Sequence, residues 1–511
     1  MSIPSPLSMF KMKKEKMQMA KTAMMALIAF ISLSSFSLAQ TNGDSHVSQR
    51  PPLEKRKFHS DAVEQLLSKV SSAIKDPELA WIFENCYPNT LDTTVDFGMK
   101  NDLPDTFIIT GDIDAMWLRD SSAQVQAYLP LCKEDPHLAQ MVAGLIHRQA
   151  ECIQLDPYAN AFYKDGSRIS QWKSDHTTMK PGVHERKWEL DSLCYCIRLA
   201  YQYWKITGDT TVFNDDWKTA MHAAVDTMLD QQRKNDHGKY RFTRDTSKLT
   251  DTLVNDGWGA PFKPTGMICS AFRNSDDATV YLFNIPENLF AVTSLLQLSE
   301  ILDAIQDKSD LAKTCRSLSN EVEQAVKKNG IIDHPKYGKM YVYECDGLGH
   351  NLLMDDAGMP GLTTIPYLGY GTLADPIYQN SRRFAQSSDN PFFLQGAAAE
   401  GTGSPHVAGP TIWPMGIIGR ALTSEPKSRG GAGTDAESDA EIRHCLEMLK
   451  RSQVGTGFMH ESFNKDDPTK FSRPWFAWVN NLFGDLIIKI YHERPELLSN
   501  DNAPKAPSDK S

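Results

Sequence analysis

Asp61-Ala62-Val63-Glu64-Gln65-Leu66-Leu67-Ser68-Lys69-Val70-Ser71-Ser72-Ala73-Ile74 sets how the rest of the chain is read. Val63, Leu66, Leu67, Val70 and Ile74 fall at i, i+3, i+4, i+7 and i+11, which is the spacing of one helical face and not the alternation of a strand. The same pattern returns, with short interruptions, in 121–131, 137–155, 191–206, 217–232, 287–305, 311–328, 411–422, 440–451 and 480–492. Strand-like alternation is confined to short stretches such as Lys239-Tyr240-Arg241-Phe242 and Lys339-Met340-Tyr341-Val342-Tyr343. Neither strand-helix-strand alternation nor a short internal repeat is found, which disfavours a parallel sheet and a regular solenoid. Helix pairs joined by long loops predict an all-α toroid, with each helix burying one face on the next and the loops at one end forming a pocket.

The 511 residues are 41% hydrophobic and 23% charged, an ordinary globular composition with material for one large core or two smaller ones. A net charge of −10 disfavours nucleic acid as the partner, because such binders need clustered Lys and Arg to displace counterions. Residues 1–39 read as an export signal: Lys11, Lys13, Lys14, Lys16 and Lys21 precede the apolar run from Ala23 to Ile31, and Ser37-Leu38-Ala39 offers cleavage after Ala39. That run is shorter than the ~20 residues a spanning helix needs, so no membrane association is expected after cleavage. The expected destination is the periplasm, with an extracellular one equally compatible with the signal. Residues 40–57 and 500–511 are polar and Pro-containing and are expected to be a disordered linker and tail around one domain, 58–499. The nine cysteines are scattered and never spaced Cys-x-x-Cys, so neither zinc site nor redox pair is signalled. Most are expected to be buried small hydrophobes, with one or two disulfides left open.

Five segments are dense in carboxylates, aromatics and glycine: 110–121, 188–193, 270–281, 395–406 and 460–464. Most precede a helix, where a lone Asp more often caps free N–H groups than does chemistry. Sugar recognition, however, needs this same mixture, with aromatic faces to stack on pyranose C–H surfaces and Asp, Glu, Arg, Asn and His to exchange hydrogen bonds with hydroxyls. Of the ten tryptophans, Trp117, Trp258, Trp475 and Trp478 lie in or beside such loops. Glycoside hydrolysis requires one protonated carboxyl to protonate the leaving oxygen and one carboxylate as base or nucleophile. In Asp276-Asp277 mutual repulsion and partial burial would raise one pKa, as a general acid needs, although Ser275-Asp276-Asp277 also reads as a plain helix cap. Glu461, after Gly455-Thr456-Gly457, is the other candidate.

Asp114-Ala115-Met116-Trp117-Leu118-Arg119-Asp120-Ser121, Glu189-Leu190-Asp191-Ser192-Leu193, Phe272-Arg273-Asn274-Ser275-Asp276-Asp277-Ala278, Glu400-Gly401-Thr402-Gly403-Ser404-Pro405-His406 and Arg473-Pro474-Trp475-Phe476-Ala477-Trp478-Val479-Asn480 together resemble glycoside hydrolase family 125, the exo-α-1,6-mannosidases, over residues 60 to 492. The resemblance implies an (α/α)6 barrel, inverting hydrolysis of terminal α-1,6-linked mannose from mannan or N-glycan oligosaccharides, no cofactor and no metal. It puts the general acid in the Asp276-Asp277 pair, with Asp276 favoured slightly by likeness to related α/α-barrel glucosidases, and the base on Glu461. Asp114, Trp117, Arg119, Asp120, Glu189, Asp191, Arg273, Glu400, His406, Arg473, Trp475 and Asn480 are the implied substrate-binding residues. An inverting pair should stand roughly 6.5–9.5 Å apart to admit the attacking water. Asp112-Ile113-Asp114 formally matches the DxD motif of glycosyltransferases, but that reading also expects a nucleotide-binding α/β domain. A phosphorylase, a lyase or a glycan-binding protein on the same toroid is the remaining alternative, because fold does not dictate function.

Overall fold

Helices supply nearly all of the framework in the computed structural model, which describes residues 46–499. In chain order they are α1 (Asp61–Ala73), α2 (Pro77–Cys86), α3 (Asn89–Thr93), α4 (Leu118–Ala123), α5 (Pro136–Leu155), α6 (Leu190–Thr207), α7 (Asp215–Asp230), α8 (Ile285–Ala304), α9 (Leu311–Asn329), α10 (Pro376–Ala385), α11 (Pro414–Leu422), α12 (Asp435–Ser452) and α13 (Ala477–Glu493). The expected helices all form, shifted by a few residues at their ends. The stretch 121–131 divides into α4 and a 3-10 helix, Gln126–Lys133, that contains Pro130.

Composition sorts the helices into two rings. In α8 the apolar side chains Leu289, Phe290, Val292, Leu295, Leu298, Ile301 and Leu302 are distributed nearly all round the axis and are buried. Its neighbour α9 buries one stripe, Cys315, Leu318, Val322 and Val326, and leaves its lysines on the other face. Packing of α6 on α8, of α11 on α13, and of α13 on α4 and the 3-10 helix builds the inner ring. Outer helices α5, α7, α9 and α12 pack against it and one another. Between α8 and α11 the inner position is taken by the irregular segment 354–368. Tyr195 of α6 donates to the Met359 carbonyl at 3.0 Å. Gly419 of α11 approaches so closely that a Cβ there would lie 2.7 Å from Thr364 Cγ2. The result is the (α/α)6 barrel.

Strands are short and sit at loop ends. Val95–Lys100 and Leu103–Ile108 form a hairpin whose turn residues Asn101 and Asp102 have φ of 50° and 63°, the left-handed pair of a two-residue hairpin turn that the helical reading overlooked. Gly338–Tyr341 pairs with Ile331–His334 as its alternation predicts. Residues 239–242 form no strand, and only the adjacent Thr243 bridges to His176.

Residues 47–57, assigned by composition to the linker, instead lie against α1 and α2. The Trp81 indole donates to the Val47 carbonyl at 2.7 Å, and the Arg50 guanidinium reaches Asp92 at 2.7 Å and Glu64 at 2.9 Å. Composition missed this because polar contacts of Arg50, Arg56 and the Val47 carbonyl, not an apolar run, do the anchoring. The proposed signal sequence and tail lie outside the described residues. All nine cysteines are buried and unpaired. Among the described residues no helix is long and apolar enough to cross a membrane.

Candidate active site

Three small structural units bring the carboxylates to one mouth of the barrel. Met116–Trp117, Ala161–Phe162 and Val183–Glu185 form the first sheet, which delivers Trp117 and Arg119 at the start of α4, Asn160, and the chain leading to Lys187 and Glu189. Thr411–Ile412, Ser462–Asn464 and Phe471–Ser472 form the second, with Glu461 at its edge. The third unit is the tight loop 273–277, in which the Asp276 N–H donates to the Arg273 carbonyl at 2.9 Å. Its Asn274 amide reaches the Pro360 carbonyl at 2.7 Å and its Ser275 hydroxyl Asp356 at 3.0 Å. Gly358 must be a glycine there, because a Cβ would fall 1.8 Å from Asn274 Oδ1.

These units enclose a pocket of about 510 Å³, counted to its mouth. Trp117, Arg119, Asp120, Asp276, His406, Glu461 and Arg473 all line it, as the sequence predicts. Asp276 and Arg473 have φ of 65° and 53°, left-handed values that are costly for side chains with a Cβ and that cluster at functional sites. Glu461 accepts from the Ser472 hydroxyl at 3.0 Å and pairs with Arg473 Nε at 3.4 Å. The adjacent His460 stacks on Phe471 with ring centroids 3.8 Å apart and bonds the Arg473 carbonyl, so both sides of Glu461 are immobilised.

Arg119 is the hub. Its guanidinium lies 2.7 Å from Glu189 and 3.5 Å from each of Asp120, Asp191 and Asp276, so one buried cation serves four carboxyl groups. Burial, only partly offset by Arg119, pushes Asp191 up to about 6 and raises Asp120. Burial together with the Asp276 charge holds Glu189 well above the usual carboxylate range. For Asp276 burial is outweighed by the Lys187 ammonium and Arg119, and its carboxyl sits below that range. Lys187 is buried, donating to Asp251 at 2.6 Å and to the Asp276 carbonyl at 2.9 Å. Trp117 and Trp413, both in the pocket lining, have buried indole N–H groups without a protein acceptor. Such orphan donors are costly unless a ligand or water satisfies them.

Other expected residues fall elsewhere. Asp277 is fully buried behind the pocket, accepting from His406 Nδ1 at 3.1 Å and pairing with Lys248 at 3.2 Å. Arg273 lies beneath the loop on Glu344, which also takes the Val280 and Tyr281 N–H groups, so it is a brace and not a wall. Asp114 faces solvent and pairs with Arg168 at 2.6 Å. Glu400 is engaged by Arg420 at 2.8 Å. Asn480 is buried, its amide spent on the Met459 N–H and on Asn89, where it positions the chain entering Glu461. Trp475 is not among the residues lining the pocket; its ring lies 3.2 Å from where a Gly111 Cβ would stand. The sequence reading had not singled out Lys187, Gly358, Trp413 or Met415. Trp413 shares a positional signal with Trp117, since each immediately precedes an inner helix. Gly358 carries no local signal, because its role depends on Asn274, distant in sequence.

A helical double ring with a pocket at one mouth, lined by Asp276, Glu461 and tryptophans, defines an (α/α)6-barrel glycoside hydrolase. The chain belongs to the metal-independent α-mannosidases, glycoside hydrolase family 125, whose family model matches residues 76–488. It is 40% identical over 470 residues to the meiotically up-regulated gene 157 protein of Schizosaccharomyces pombe, covering 88% of this chain and 89% of that one. A Streptococcus pneumoniae metal-independent α-mannosidase, solved in a non-productive complex with α-1,6-mannobiose, matches with TM-score 0.80 and 40% identity over 86% of this chain and 100% of that one. A bacterial glucoamylase solved with acarbose shares the fold, with TM-score 0.50 and 11% identity over 84% of this chain and 59% of that one.

Proposed function

We propose that this protein releases non-reducing terminal α-1,6-linked mannose from mannan or N-glycan oligosaccharides, with inversion, Asp276 protonating the leaving oxygen and Glu461 activating the water. The observation that carries the assignment is that Asp276 and Glu461, which enter from separate loops 185 residues apart in sequence, line one pocket while Asp277 does not. The Streptococcus pneumoniae relative with α-1,6-mannobiose supports the linkage. Trp117, Trp413 and Trp478 supply the apolar walls, and Asp120 and Arg119 supply hydroxyl partners. The lysine-rich start, the apolar run and Ser37-Leu38-Ala39 support export, and we place the mature enzyme in the periplasm.

The test is to incubate the mature protein with α-1,6-mannobiose in excess chelator and to follow the first-formed anomer by NMR, beside Glu461→Gln. The expected result is β-mannose from the unaltered protein and none from the variant. First-formed α-mannose, or full activity in the variant, overturns the assignment.

A further inference from the structure

Glu189 does not line the pocket, yet it is the carboxyl group closest in bonding to Asp276. Its side chain is fully buried, Oε2 accepts from Arg119 Nη1 at 2.7 Å and from Ser192 at 3.1 Å, and its carboxyl hydrogen-bonds Asp276. One amide group, Asn160 Nδ2, lies 3.2 Å from Glu189 Oε1, 3.4 Å from Asp276 Oδ1 and 3.1 Å from Glu185 Oε2. With two hydrogens it serves three carboxyl oxygens. The charged surroundings are Arg119 and Asp120 on α4, Glu185 and Lys187 on the chain before α6, Asp191 on α6 and Asp276 on its loop, with the Tyr240 hydroxyl side behind. Two carboxyls that share one amide and one guanidinium, Glu189 buried and Asp276 opening onto the pocket, hold a proton between them.

Resting on Asp276 as the acid, we infer that Glu189 is the proton store for Asp276. In the empty pocket the proton sits on Glu189, inside the hydrogen bond to the Asp276 carboxylate. As the glycosidic C–O bond breaks, Asp276 takes the proton from Glu189 and gives it to the leaving oxygen, forming the hydroxyl of the departing sugar. Glu189 is left as a carboxylate against Arg119. On the other side Glu461 takes a proton from the attacking water, whose oxygen forms the new bond to the anomeric carbon. One proton has left the acid pair and one has arrived on Glu461, and exchange with solvent restores the start. Glu189 acts through Asp276 and is therefore a positioning residue. Arg119, 3.5 Å from the Asp276 carboxyl, and Lys187, bonded to the Asp276 carbonyl, favour the carboxylate form of Asp276 in the resting pocket and the proton on Glu189.

The experiment compares Glu189→Gln and Asp276→Asn on α-1,6-mannobiose, whose leaving group needs a proton, and on α-mannosyl fluoride, whose leaving group does not. Gln keeps an N–H toward Asp276 and cannot surrender a proton. Glu189→Gln should lose ~10²-fold or more in kcat/KM on mannobiose, in the range of general acid catalysis, and stay within about threefold of the unaltered enzyme on the fluoride. Its alkaline limb on mannobiose should move to lower pH, because the remaining acid, Asp276, is held low. Equal loss on both substrates, unchanged mannobiose turnover, or an unmoved limb overturns the proton store. Equal loss by Asp276→Asn on both substrates instead overturns Asp276 as the acid, so the two readings fail separately.

Discussion

His406 Nδ1 stands 3.1 Å from Asp277 Oδ1, which turns the second aspartate of the Asp276-Asp277 pair away from the pocket and onto the histidine that lines it. Burial lowers the His406 pKa, but the Asp277 bond and the charges of Asp276 and Asp277 outweigh it and raise it. The raised value means that the imidazolium is present at low pH and is lost as pH rises through the folded pKa. Asp277→Asn should therefore raise KM for α-1,6-mannobiose about tenfold near neutral pH, with the increase beginning at lower pH than in the unaltered enzyme. KM measured between pH 5 and 8 checks it, and a large kcat loss confined to substrates with poor leaving groups would return Asp277 to the role of acid.

Trp413→Phe keeps the ring and removes an indole N–H that has no protein acceptor. If that donor serves a sugar hydroxyl, mannose affinity should fall about tenfold, the worth of one hydrogen bond in a dry site, while thermal stability stays level. Titration calorimetry with mannose reads this, and unchanged affinity would assign the N–H to water.

Arg50→Ala should destabilise the protein by about 2 kcal/mol, because Arg56, 3.5 Å away, would be left as the cation beside the buried carboxylate of Asp92. Its side chain is 3% exposed and that of Arg50 8%. Denaturant unfolding measures the change, and a loss below about 1 kcal/mol would mean that residues 47–57 contribute little to the barrel.

Burial, partly offset by N–H donors from Leu362 and Thr363, pushes Asp355 up to about 7. A carboxyl whose folded pKa is raised stabilises fully below its unfolded pKa and loses that contribution as pH rises through the folded one. The stability advantage of the unaltered protein over Asp355→Asn should be largest near pH 4 and shrink up to about pH 7. Unfolding midpoints across that range test it, and a pH-independent difference would place the titration elsewhere.

The helical class was legible in the chain because burying one face of a helix is a local event, and its period of 3.6 is written in neighbours such as Val63, Leu67 and Val70. Helix α10 was not legible because its buried stripe, Tyr378, Ser381, Phe384 and Ala385, carries few purely apolar side chains. The pocket segments were legible as well, since Asp, Trp and Gly gather where the inner helices begin. Which members of each segment reach the pocket was not. Asp276 and Asp277 are chemically identical neighbours, and the left-handed backbone at Asp276, φ 65°, sends one to the pocket and the other to His406. That conformation is held by Asn274 and Ser275 bonding Pro360 and Asp356, partners some eighty residues away. Asp114, Glu400 and Asn480 share the composition of a sugar site, but Arg168, Arg420 and Asn89 claim them. Residue type and spacing determine which groups are available, whereas long-range ion pairs and hydrogen bonds, formed only once the barrel closes, decide which remain free to meet a substrate.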